Sequence, residues 1–367
     1  MKALLLSLPL AFAFAAPVFS QSPVVVQPSG RVTFNFRAPN AKEVKVNVES
    51  LPGITMQKND DGVWSATTDA LEPDYYGYSY SVDGVHVIDS GNPLMKYNLL
   101  NTESEIHVPG PAASTPWDVA DVPRGVIHQH NYKSAACNDE RTYYVYTPPR
   151  YDASSRKKYP ALYLLHGFSD DARAWWSVGQ ANVILDNLIA RGEVKPMIVI
   201  MPLGYGTLEI LHRQRGQQRD PGLGERNSRQ FKESLLNEVL PQAEKEYRIS
   251  SNRKDRALAG LSMGGAESLT VGLNSLDKFA WIGAFSSGGV GTNYAKTFPN
   301  LDTKANDQLK LLWVACGKDD GLFKPNKQFV DWLDTEGIRH TWTETPGVHS
   351  WRVWRRNLAA FTPLLFR

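Results

Sequence analysis

Ala257-Leu258-Ala259-Gly260-Leu261-Ser262-Met263-Gly264-Gly265-Ala266 is the stretch on which the reading of the fold turns. Ala257 to Ala259 predict a short buried strand, Gly260 to Gly264 spell G-x-S-x-G, and Ala266, Leu269 and Val271 follow with the recurrence of a helix. A serine between glycines at a strand-to-helix turn is a nucleophile elbow. The glycines let neighbouring backbone pass closely, and the strained turn lifts the hydroxyl above the sheet at a helix N-terminus.

Outward from this turn the same grammar recurs. Ala161 to Leu165, Met197 to Met201 and Leu309 to Ala315 are apolar strands. Val183, Ile184, Leu188 and Ile189 mark a helix over Ala181 to Arg191, and Phe231, Leu235, Leu236, Val239 and Leu240 mark another. Strands alternating with helices predict an α/β fold, a doubly wound, mostly parallel sheet covered on both faces, over residues 123–367.

Residues 21–110 read differently. Val32, Phe34 and Phe36, then Val44, Val46 and Val48, then Tyr76, Tyr78, Tyr80 and Val82 alternate with period two, and Pro39-Asn40, Asp60-Asp61-Gly62 and Asp83-Gly84 punctuate them. This predicts a small all-β, immunoglobulin-like sandwich. The run Pro109-Gly110-Pro111-Ala112-Ala113-Ser114-Thr115-Pro116 reads as a linker, placed at 111–122. Before the sandwich, Met1-Lys2, an apolar stretch from Ala3 to Ala16 and a small Ser20 spell an export signal over residues 1–20, with Pro9 and Pro17 breaking the run short of a membrane span. The expectation is a secreted or periplasmic protein with no membrane association after signal removal.

The 367 residues carry 42% apolar and 21% charged side chains, a globular composition. Lys plus Arg at 40 against Asp plus Glu at 38 leaves +2, which gives no basis for nucleic-acid binding. Two cysteines, Cys137 and Cys316, exclude a disulfide scaffold and a four-cysteine zinc site; pairing in an oxidising compartment is the alternative to the preferred reading as free thiols, with Cys316 at the end of an apolar run.

A serine hydroxyl needs a base and the base an orienting acid, in the chain order Ser, Asp or Glu, His. Gly317-Lys318-Asp319-Asp320-Gly321 follows the strand ending at Cys316, at the active-site edge of such a sheet, and offers both Asp319 and Asp320. His349, in the turn Pro346-Gly347-Val348-His349-Ser350-Trp351 before the last helix, stands where the base belongs. His340 falls inside a strand, and His128 and His130 share a face of an early strand without a third ligand at suitable spacing, so no metal is expected. The oxyanion donors are the amide of Met263 and that of Gly167 or Phe168, after the strand Ala161 to Leu165, with His166 structural. No cofactor is called for. The long polar segment 204–227, with Arg213, Arg215, Arg219, Asp220 and Arg226, is expected to cover the acyl pocket or to be a surface insertion.

Over residues 120–367 the chain resembles the esterase D-like α/β-hydrolases, in particular the feruloyl and acetylxylan esterases of carbohydrate esterase family 1. The resemblance rests on Tyr144-Val145-Tyr146-Thr147-Pro148-Pro149, Leu164-Leu165-His166-Gly167, Lys195-Pro196-Met197-Ile198-Val199-Ile200-Met201-Pro202, Gly260 to Gly265, and Cys316-Gly317-Lys318-Asp319-Asp320. Its G-x-x-D pattern implies Asp320 as the acid and its G-x-H pattern, before an aromatic helix, His349 as the base; the expected oxyanion donors stay Met263 and, from the strand-end loop, Phe168. The first domain resembles a family 48 carbohydrate-binding module through Phe34 to Pro39, Asp61-Gly62-Val63-Trp64 and Tyr78 to Asp83. Alternating aromatics of this kind are more often core than sugar platforms.

The resemblance implies a secreted serine esterase acting on feruloylated or acetylated plant polysaccharide or oligosaccharide. Acetylxylan esterase and siderophore trilactone esterase are alternatives within the class, and a catalytically silent carbohydrate-binding scaffold is the alternative outside it.

Overall fold

The structure is a computed structural model describing residues 24–111, 113–212 and 220–367. The predicted export signal over 1–20 and Arg213, Arg215 and Arg219 of the polar segment lie outside the described residues.

The first ten strands are β1 (Val24–Val26), β2 (Val32–Arg37), β3 (Val44–Val48), β4 (Ile54–Thr55), β5 (Gln57–Lys58), β6 (Val63–Thr67), β7 (Asp74–Val82), β8 (Val85–Val87), β9 (Met95–Lys96) and β10 (Glu103–Val108). They form two antiparallel sheets, β1-β2-β6-β5 and β4-β3-β7-β10-β9, with β8 paired to β7. Every second residue points inward, so Val32, Phe34, Val44, Val46, Tyr76, Tyr78 and Tyr80 are essentially inaccessible to water and pack as one core. The aromatics that carry the carbohydrate-module resemblance mostly belong to this core: Phe34 and Tyr78 pack with tilted rings, centroids 5.0 Å apart, and Trp64 is 7% exposed.

The second body is an eight-stranded sheet of β11 (Val126–Ser134), β12 (Asp139–Thr147), β13 (Ala161–Leu165), β14 (Ile198–Pro202), β15 (Arg256–Leu261), β16 (Trp281–Phe285), β17 (Leu311–Gly317) and β18 (Thr341–Thr345), in the order β11-β12-β14-β13-β15-β16-β17-β18. β13 through β18 pair in parallel and β11 and β12 run antiparallel at one edge. Both faces are covered. Leu162 and Leu164 join the helices Ala181–Ala190 and Trp351–Phe361 on one side, while Ala161, Tyr163 and Leu165 meet Phe231, Leu235 and Val239 on the other. Strands buried on both faces explain the unbroken apolar runs in the sequence.

The stretch read as a linker is packed. Trp117 is 4% exposed in the core beneath the helix Ala181–Ala190. The Asn187 amide donates to the carbonyls of Pro116 and Asp118 at 2.7 Å each, and Asp118 accepts from the Gly110 amide at 2.7 Å. Small residues and prolines hide a tryptophan anchor that their composition does not announce.

The two bodies share a buried ion pair. Arg355, 1% exposed on the last helix, donates from Nε to Asp74 Oδ1 at 2.8 Å at the start of β7, and also to the carbonyls of Tyr75 and Val178. Arg352 adds its guanidinium over the Tyr76 ring at 4.7 Å.

Candidate active site

Three strand ends converge at the C-terminal edge of the large sheet. After β15 the chain turns through Ser262, whose φ of 51° and ψ of −115° lie where a residue with a side chain is strained, and enters the helix Met263–Leu273. The turn closes only because two neighbours are glycine. A Cβ on Gly260 would stand 2.5 Å from the Gly264 carbonyl oxygen, and one on Gly264 would stand 2.5 Å from that of His166. The Ser262 amide donates to the Phe285 carbonyl at 2.8 Å, fixing the elbow to β16.

From the loop after β17, Asp320 points inward with a fully buried carboxylate, and from the turn after β18 His349 stands over the serine. His349 Nδ1–H donates to Asp320 Oδ2 at 2.8 Å, and Nε2 accepts from Ser262 Oγ at 3.0 Å. Burial pushes the Asp320 carboxyl up, but the His349 N–H and the Leu322 amide, the latter at 2.8 Å from Oδ1, outweigh it and hold the group below the usual range. Asp319, the other candidate, is exposed and contributes its backbone amide to the Gly347 carbonyl. The arrangement can deprotonate a serine and hold the imidazole in the tautomer that does so.

Met263 opens its helix, so its N–H is one of those a helix leaves without an internal partner. The loop Gly167–Asp170 after β13 lies alongside, with Phe168 lining the same pocket as Ser262 and a Cβ on Gly167 falling 3.4 Å from the Ser262 Cβ. His166 is buried below, its Nδ1–H donating to the Gly167 carbonyl and its Nε2 accepting from the Gly204 amide, each at 2.8 Å. Burial lowers its pKa to about 4, so it is a neutral strut. Next to it Glu267 is buried, with a pKa well above the usual range because desolvation is not offset by a counter-charge. Of the polar segment 204–227, no described residue lines the Ser262 pocket; Arg226 is engaged with Asp220 and Glu209 instead.

The "Putative esterase" family model matches residues 134–365, more than half of the chain and all of this constellation. The chain belongs to the esterase family. It is 29% identical over 350 residues to an endo-1,4-beta-xylanase/feruloyl esterase of Xylanibacter ruminicola, an alignment covering 94% of this chain and 46% of that protein, so the chain spans less than half the relative's length. A solved ferulic acid esterase is 26% identical with a TM-score of 0.55, covering 65% of this chain and 97% of its own. The enterobactin esterase of Shigella flexneri, at 18% identity, shares the fold at a TM-score of 0.70 over 94% of this chain and 96% of its own.

Sequence reasoning missed one side of the esterase's pocket. The cavity at Ser262, about 210 Å³, is lined from the hydrolase body by the 167–170 loop, Leu261, His349, Trp351 and Trp354. Its remaining wall is Glu49, Lys96 and Asn98 of the sandwich. Asn98 donates to Ser169 Oγ at 2.9 Å and to Asp170 Oδ1 at 3.0 Å, and the Leu99 amide donates to the Ser169 carbonyl at 2.7 Å. Buried Asp170 is pushed up to about 7, chiefly by desolvation. No spacing in the sequence links residues 49, 96 and 98 to Ser262, so only the packing of one body on the other reveals them. A larger cavity of about 720 Å³ runs between the bodies beside Gly347 and Val348 and shares Ser350 with the first.

Proposed function

We propose that this esterase hydrolyses hydroxycinnamoyl esters, above all feruloyl esters, of plant cell-wall polysaccharide through an acyl-enzyme on Ser262. Ser262 Oγ attacks the ester carbonyl while His349 Nε2 takes its proton; the alcohol leaves with that proton, and water repeats the sequence to release the acid. Asp320 orients the imidazole, and the amides of Met263 and Phe168 receive the oxyanion. The observation that carries the reading is the unbroken hydrogen-bonded chain Ser262–His349–Asp320 on a strained elbow. The substrate class is supported by the xylanase/feruloyl esterase and the ferulic acid esterase to which the chain is similar. The apolar leader Met1–Ser20 supports export. Sugar binding by the sandwich rests on the resemblance alone and would use surfaces other than its buried aromatics.

A siderophore trilactone is the second reading, favoured by the likeness to the enterobactin esterase across both bodies. Turnover of methyl ferulate, acetylated xylan and a catechol siderophore lactone, compared side by side, separates these. Ser262→Ala should abolish hydrolysis of whichever is cleaved by on the order of 10⁴-fold or more, with unchanged circular dichroism; a variant that keeps its turnover would place the nucleophile elsewhere.

A further inference from the structure

The sandwich wall of the Ser262 pocket is built around one ammonium group. Lys96 Nζ has three N–H donors. One goes to Glu49 Oε2 and one to Glu103 Oε2, each at 3.1 Å, which leaves a third in a side chain that lines the cavity with Ser262 and His349. Glu49 Oε2 is itself fixed by the Gly77 amide at 3.1 Å, while among the described residues its Oε1 has no hydrogen-bond partner. The two carboxylates outweigh the penalty of burying the ammonium and keep it charged.

The path of Lys96 across the sheet depends on a missing side chain. Gly77 sits within β7, and a Cβ there would stand 2.7 Å from Lys96 Cδ, 2.9 Å from Nζ and 2.6 Å from Glu103 Oε2. A glycine inside a strand weakens it and marks close approach by something else. Here the approaching group is the lysine, which lies over the strand in the notch.

We propose that Lys96 is a specificity-determining residue of the esterase, donating its third N–H to a hydroxyl oxygen of the substrate while Glu49 accepts a hydrogen bond from that hydroxyl. The inference rests on the esterase reading above and adds the class of substrate: esters bearing an uncharged hydroxyl, selected over bare esters. Of the two carboxylates only Glu49 lines the cavity, where it balances the ammonium, so this wall suits a neutral hydroxyl rather than a charged group. The hydroxyl belongs either to the phenol of the acyl group or to the sugar of the alcohol, and the experiment separates these sources.

The test uses the full-length protein and kcat/KM ratios in two arms. The acyl arm compares methyl ferulate with methyl cinnamate, and the alcohol arm compares acetylated xylobiose with ethyl acetate. In Lys96→Met, the ratio should fall about tenfold or more in one arm, through KM, because a hydrogen bond from a charged donor is lost. Gly77→Ala keeps the ammonium but displaces it, and its steric conflicts are with the ends of flexible side chains. It should lower the same ratio, so the inference survives a poorly folding Lys96→Met. Unchanged ratios in both arms, or an equal loss on all four esters, would overturn it. Wild-type protein that cleaves acetates but neither cinnamate would defeat the feruloyl reading alone, leaving the alcohol arm to decide on Lys96.

Discussion

Two walls enclose Ser262, and they are made in different ways. The wall that holds His349 and Asp320 comes from the ends of β15, β17 and β18, three strands of one parallel sheet, each turning within a few residues into a helix. The facing wall comes from the other body: Glu49 follows β3, Lys96 ends β9, and Asn98 grips the 167–170 loop across the boundary. The first wall is a product of local turns and the second of docking. The groups that make and break bonds therefore need one sheet only, whereas the groups that contact the rest of the substrate need both bodies in register.

The comparison is broken most sharply inside the first wall. Asp320→Asn should lower kcat by on the order of 10²- to 10⁴-fold, since the imidazole loses its orienting acceptor, while Asp319→Asn, at an exposed side chain, should cost far less. Steady-state kinetics on one small ester decides. A larger loss at Asp319 would mean that the loop after β17 is not held as described.

What was legible in the sequence follows the same division. Strand, elbow and helix around Ser262 are contiguous, and the parallel strands show themselves as apolar runs because both their faces are buried. The choice between Asp319 and Asp320 was not open to strand-and-turn reasoning, because both follow the same strand; the resemblance implied Asp320, whose carboxylate the structure buries, whereas Asp319 is exposed. β16 has its apolar run interrupted by Gly283 at its centre and does not stand out. Lys96, Glu49 and Asn98 are polar residues in a β domain, where the default reading is a solvated face. Their position at the pocket depends on Asp74, Arg355 and Trp117, contacts that join residues far apart in the chain.

The junction itself is the next place to cut. Asp74 and Arg355 are both buried, so Asp74→Asn leaves a guanidinium inside the protein without its counter-charge; the expected cost is about 3–5 kcal/mol, read as a lowered urea midpoint. The hydrolase wall alone would not feel this change if the bodies were independent. An unaltered midpoint would show that the sandwich is a detachable module after all, and a truncated chain starting near Trp117 should then retain its small-ester turnover.

The smallest effect sharpens the comparison with one titrating group inside the first wall and one at the seam. His166, held near pKa 4 when folded against about 6.5 unfolded, favours the folded state above 6.5, and that stability is lost as pH falls toward 4 because the unfolded chain takes the proton first. Asp170, near 7 when folded against about 3.8 unfolded, has the opposite sign: its contribution is complete below 3.8 and is lost as pH rises toward 7. Between pH 4 and 6.5 the two slopes offset, each spanning on the order of 3 kcal/mol. Asp170→Asn should uncover the histidine, making the protein lose stability on acidification from pH 6.5 to 4.5, and His166→Gln should uncover the aspartate and reverse the trend. Slopes of urea stability against pH are compared rather than absolute values, because each substitution also disturbs a hydrogen bond, Asn98 to Asp170 at the seam or Gly204 to His166 within the hydrolase body. Three identical slopes would mean that neither group is held in the protonation state its burial implies, and that the floor of the pocket is wetter than the packing shows.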